Sequence, residues 1–181
     1  MRLGRLLYAE WLIPIIDYFR TIKRKEVYFE WIVPLLASTL VIITFLILGD
    51  SVKAISKLRD ILPNTLAILI GFTITSLTVL IASDNQNINR MKATLTNNRK
   101  IGNDTISLYQ LLLINLVYVL FIQLFLLIFI FFVGFILHFF NVTLLVNTFL
   151  FIETFSTLQI LLLLIRTITN FYFVFYRSNP V

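Results

Sequence analysis

The chain has 181 residues, of which 59% are apolar and 13% charged, and a mean hydropathy of +0.94, which excludes both a soluble globular domain and a disordered polymer. With no cysteine and a single histidine, it lacks the donors for a thiolate or histidine metal cluster. The formal charge of +6 is scattered over the connections between apolar runs, so direct nucleic-acid binding is not expected.

Arg2 and Arg5 precede an apolar stretch over 6–19, but Glu10, Pro14 and Asp17 interrupt it and no small-residue cleavage site follows. The pattern predicts an interfacial amphipathic helix within residues 1–30 in place of a signal peptide. Trp11, Tyr18, Phe19, Tyr28 and Trp31 would then sit at headgroup level. The segment EWLIPII at 10–16 is echoed by EWIVPLL at 30–36, and only the second copy continues into a long apolar run.

Four runs, near 31–48, 66–82, 108–140 and 144–165, approach or exceed the ~20 helical residues that cross a ~30 Å hydrocarbon layer. The fold expected is an all-α polytopic membrane protein. Four transmembrane helices over 31–166 follow the interfacial segment, and a short tail occupies 167–181. Pro34 and Pro63 are suited to helix starts, where a missing N–H costs nothing. Between the first two spans, Val52, Ile55, Leu58 and Leu62 recur at helical spacing, with Lys53, Lys57 and Arg59 off that stripe; this predicts a short amphipathic helix lying on the membrane.

The second span carries Thr65, Thr73, Thr75, Ser76 and Thr78. Ala67, Gly71, Thr75, Thr78 and Ala82 fall on one face and form a groove of small residues, suited to close approach of a neighbouring helix or, alternatively, to lining a pore. Beyond Ala82, Ile88, Met91 and Leu95 keep a stripe that would extend this helix, and 97–104 reads as a turn. The connection 83–107 carries Arg90, Lys92, Arg99 and Lys100, the charges expected to dock a cytosolic partner. The third run is long enough to require tilt, a kink near Gly134 or protrusion. The three-residue link 140–142 makes the third and fourth runs an antiparallel pair, with His138 as an interfacial residue at its outer end.

Twelve of the fifteen Lys and Arg fall on one side if the N-terminus is cytoplasmic, as the positive-inside rule expects, so both termini are placed in the cytoplasm of an inner (plasma) membrane protein. Inside the spans, Asn115 and Gln123 mark the third, and Asn147, Glu153, Thr154, Ser156, Thr157 and Gln159 the fourth. Glu153 lies near the midpoint of 144–165, where an acid is costly and functional by default. It would be neutralised by a proton, bonded across helices to Asn115, Gln123 or a second subunit, or turned to a wet pathway. Arg166 is thirteen residues on, ~20 Å along a helix, too far to pair with it within one helix. No catalytic motif, phosphate loop or paired intramembrane acid is present, so neither enzymatic chemistry nor a cofactor is expected.

The segment LAILIGFTITSL at 66–77, followed by a polar extension and a long Phe-rich hairpin, resembles small four-span membrane proteins of bacterial antiphage systems, nearest the membrane subunit of the Kiwa system. The resemblance covers roughly 61–140. It implies an inner-membrane oligomer that senses envelope disturbance and works with a cytosolic partner that acts on DNA; independently, polar faces on the second, third and fourth spans, which one small bundle would struggle to satisfy, predict a homo-oligomer of tetramer type. The function expected is therefore a sensor and anchor for a cytosolic effector; the alternative is a homo-oligomeric ion pore lined by the second-span threonines or Glu153.

Overall fold

The computed structural model describes residues 10–49, 51–139 and 142–176, with the side chains of Trp11, Leu48, Asn97, Asn98, His138 and 173–176 outside the described set. The interfacial assignments of Trp11 and His138 therefore lie outside the described residues. A 3-10 turn (Glu10–Leu12) enters α1 (Ile13–Thr21). A continuous helix then runs through α2 (Arg24–Val27), a π-turn (Tyr28–Ile32) and α3 (Val33–Leu48). The remaining elements are α4 (Ser51–Ala82), α5 (Gln86–Ala93), the antiparallel strands β1 (Leu95–Ile101) and β2 (Asp104–Ser107), α6 (Leu108–Phe139) and α7 (Thr143–Tyr176).

Four helices are long and apolar enough to cross a bilayer: Arg24–Ile47, Ser51–Ala82, Leu108–Leu137 and Thr143–Tyr172. The chain is an all-α polytopic membrane protein with one small β-hairpin. Its surface is inverted relative to a soluble bundle. Phe125, Phe131, Phe132 and Phe135 on α6 and Leu40 and Ile47 on α3 are exposed, while Asn115, Gln123, Glu153 and Gln159 are buried. That is the arrangement hydrocarbon demands, since it can satisfy apolar side chains but no polar ones.

Several local expectations are corrected. Pro34 stands at the second position of α3 as expected, although the helix also continues back through the π-turn, and Pro63 does not start a helix. Pro63 lies inside α4, and the stretch expected to lie on the membrane is the first third of that spanning helix, with Ile55 packed on Val146 and Leu150 of α7. Pro34 follows a π-turn that contains Glu30; a proline denies the carbonyl four residues back its amide and crowds it, and a widened turn relieves both. The helix after Ala82 also breaks. Asn85 caps α5 by accepting the Ile88 N–H at 2.9 Å, and Ile88 and Met91 fold back onto Leu77, Leu80, Leu112 and Leu116. The predicted turn at 97–104 is instead the β-hairpin, closed by Gly102 at φ 65°, a left-handed conformation that suits a residue without Cβ. The C-terminal tail expected from residue 167 is helical to Tyr176.

Candidate functional site

Two buried ionic clusters occupy the bundle, and α7 carries a member of each. The first gathers Glu26 and Glu30 from the opening of the first spanning helix, Arg99 from β1, Arg166 from α7 and Tyr18 from α1. Arg99 donates to Glu26, with Nη1 to Oε2 at 3.1 Å, and to the Thr21 carbonyl at 3.0 Å. Arg166 places Nη2 2.8 Å from Glu26 Oε1 and also pairs with Glu30. The Tyr18 hydroxyl donates to Glu30, and the Lys23 amide donates to Glu26 at 2.8 Å. Two carboxylates meet two guanidiniums, so the cluster is electrically balanced, and each carboxylate is held by several donors, the condition under which buried charge is tolerated.

Aromatic packing fixes the geometry. Tyr18 is wholly buried and stacks on Tyr118 of α6, with centroids 3.6 Å apart and planes 7° from parallel. Gln159 faces the Tyr118 hydroxyl. Burial, and then the Glu30 hydrogen bond and charge, raise the Tyr18 pKa well above the ordinary tyrosine value. Tyr18 is thus no headgroup residue, although Phe19 and Tyr28 are exposed as expected.

The second cluster lies in the other half of the bundle. Glu153, ten positions after the start of α7, is fully buried, and its Oε1 stands 3.5 Å from Arg59 Nε on α4. The partner is neither Asn115 nor Gln123, and Arg59 is not a surface charge of an outer connection. Because α7 extends to Tyr176, Glu153 lies nearer one end of its helix than the 144–165 count implied. Asn115 and Gln123 are buried, and both keep polar atoms without hydrogen-bond partners among the described residues, as do Asn147 and Gln159.

The small-residue face is not an internal packing groove. Ala67, Gly71, Thr75, Thr78 and Ala82 are all exposed, while α4 packs through Leu62, Leu66, Thr73, Leu77 and Leu80. Thr75 and Thr78 donate to the carbonyls of Gly71 and Ile74, so neither hydroxyl requires a partner helix. Of the four expected docking charges, Arg99 is committed internally to Glu26, and Lys92 lies over the Tyr109 ring, 5.4 Å from its centroid. Arg90, Lys92 and Lys100 are exposed.

Glu26 and Glu30 were not singled out by sequence reasoning, and Tyr18 only as a headgroup residue. The available signal was charge balance, since Glu153, the acid on the same helix, stands thirteen residues from Arg166 and Glu30 stood against the start of an apolar run. No protein-family model matches this chain, and no curated protein or solved structure matches it.

Proposed function

We propose that the protein is a sensor and anchor subunit of the inner (plasma) membrane that holds a cytosolic effector against its β-hairpin end, in an antiphage system as the sequence resemblance implies. The observation that carries this reading is the Glu26–Arg99–Arg166 junction. It fastens the β-hairpin, a polar, non-spanning feature, to α7, which also bears Glu153. A rigid helix joining an intramembrane charge to the base of the hairpin is what transmission from membrane to cytosol needs.

Charge distribution supports cytoplasmic termini. With Arg99 and Arg166 removed from the twelve basic residues that the sequence assigns to the cytoplasmic side, and Arg59 from the three assigned opposite, the count becomes ten against two, and the positive-inside bias strengthens. Arg90, Lys92 and Lys100 are the exposed cations of the 83–107 connection. The test is co-purification of the soluble partner from the native host with wild type and with all three residues changed to Glu. Loss of the partner in the variant is expected, and equal recovery would overturn the docking claim.

The buried polar residues point into the protomer and do not themselves call for a second subunit. What remains for a homo-oligomer is the exposed α4 face. A pore lined there by Thr75 and Thr78 is the second reading; it requires conductance in planar bilayers that Gly71→Ile abolishes.

A further inference from the structure

Nine buried side-chain atoms have no hydrogen-bond partner among the described residues, and six belong to Arg59, Gln123 and Glu153. These three residues share a seam. Leu62 and Leu66, on the same face of α4 as Arg59, belong to one buried cluster with Ile160 and Leu163, on the face of α7 that carries Glu153, and with Val119, Leu126 and Ile130, which flank Gln123 on α6. The level agrees. Phe129 meets Phe149 with centroids 5.9 Å apart, and six residues from each along these antiparallel helices place Gln123 opposite 155, about 3 Å along the axis from Glu153.

The two clusters treat their acids differently. Glu30 is held by Tyr18 and Arg166, whereas both Glu153 oxygens are unbonded and the Arg59 contact, at 3.5 Å, pairs charge without making a hydrogen bond. A carboxylate so placed is not locked in its ionised form. Arg59, whose side chain is 17% exposed, is the member of the seam that reaches the surface.

We propose that Arg59, Gln123 and Glu153 form an intramembrane proton-binding site, reached by water along Arg59 from the Ser51 end of α4. A proton delivered by hydronium forms an O–H bond at Glu153, the released water leaves, and Arg59 keeps its charge without a counter-ion. The seam then carries one net positive charge, and the constraint between α4 and α7 is lost. Among the described residues, Glu153 forms its ion pair with Arg59, and the Lys53, Lys57 and Asp60 side chains of α4 face outward; α3 offers Ile42 and Phe45 to this region and α7 offers Val146 and Leu150; Tyr118 on α6 is turned to Tyr18 and Gln159.

On the sensor reading, which this rests on only for its consequence, the site receives the stimulus, about 20 Å along α7 from Arg166. The test is infrared difference spectroscopy of the full chain in nanodiscs between acidic and neutral buffer. A protonated-carboxyl C=O band is expected on acidification, lost in Glu153→Gln and shifted in frequency in Glu153→Asp, which keeps the carboxyl. A spectrum in which neither variant alters any carboxyl band overturns the site. No partner is present in this measurement, so its failure leaves the docking reading intact, and failed docking leaves the band.

Discussion

Glu30 and Glu153, the fully buried acids among the described residues, differ in how firmly they are held, and single substitutions should expose the difference. Removing one partner of a buried pair leaves an uncompensated charge at a cost of about 3–5 kcal/mol, whereas replacing both with apolar residues of similar volume is often neutral or stabilising. Arg59→Met alone should therefore destabilise the protein by about that amount, and Arg59→Met with Glu153→Met should recover most of it, as measured by reversible unfolding in mixed micelles. Tyr18→Phe removes a hydrogen bond to a carboxylate, worth roughly 1.5–3 kcal/mol. The folded-state pKa of Tyr18 is raised above its unfolded value of 10.0, so the contribution of the hydroxyl is intact below pH 10 and declines as pH rises further. The stability gap between wild type and Tyr18→Phe should be flat from pH 7 to 10 and should narrow above it. At this scale the sequence marked Glu153 as costly but hid its partner. Arg59 belongs to a locally amphipathic stretch, and only the packing of α4 on α7 turns it inward.

Elements were legible where periodicity is long and obscured where polar residues close a fold. The four spans and the α6–α7 pair follow from apolar length alone. The β-hairpin did not, because LTNNRKI and DTIS lack apolar alternation and pair with an irregular register between Leu95 and Lys100. Gly102 is the position on which that hairpin depends. A β-branched residue at φ 65° is strained by about 1–2 kcal/mol, so Gly102→Val should open the hairpin and speed limited proteolysis within 95–107, with the spanning helices unaffected. The helix runs past both Pro34 and Pro63 for a related reason. In each case the residue four positions before, Glu30 or Arg59, is a charge the bundle buries, and the helix continues through the proline because tertiary pairing outweighs local breaking.

For the molecule as a whole, polar residues inside and phenylalanines outside make one protomer a closed unit, leaving the small α4 face for whatever assembles with it. A Cβ at Gly71 meets nothing within 4 Å. Gly71→Ile should therefore change protomer stability by no more than about 0.5–1 kcal/mol, while the mass of the extracted complex, read by native mass spectrometry, should fall if this face joins copies; an unchanged mass would remove it as an interface. The spanning architecture was readable because bilayer thickness acts on composition. The junction between hairpin and bundle was not, because it joins residues from positions 18 to 166 that share no local pattern. The measurement that tests that junction most directly uses the absence of native cysteine. Spin labels at Lys100→Cys and Ile168→Cys, both exposed sites, report the distance between β1 and α7 in nanodiscs. A single narrow distribution that broadens in Glu26→Gln is the predicted result; a distribution equally narrow in that variant would contradict a hairpin held to the membrane bundle by buried charge.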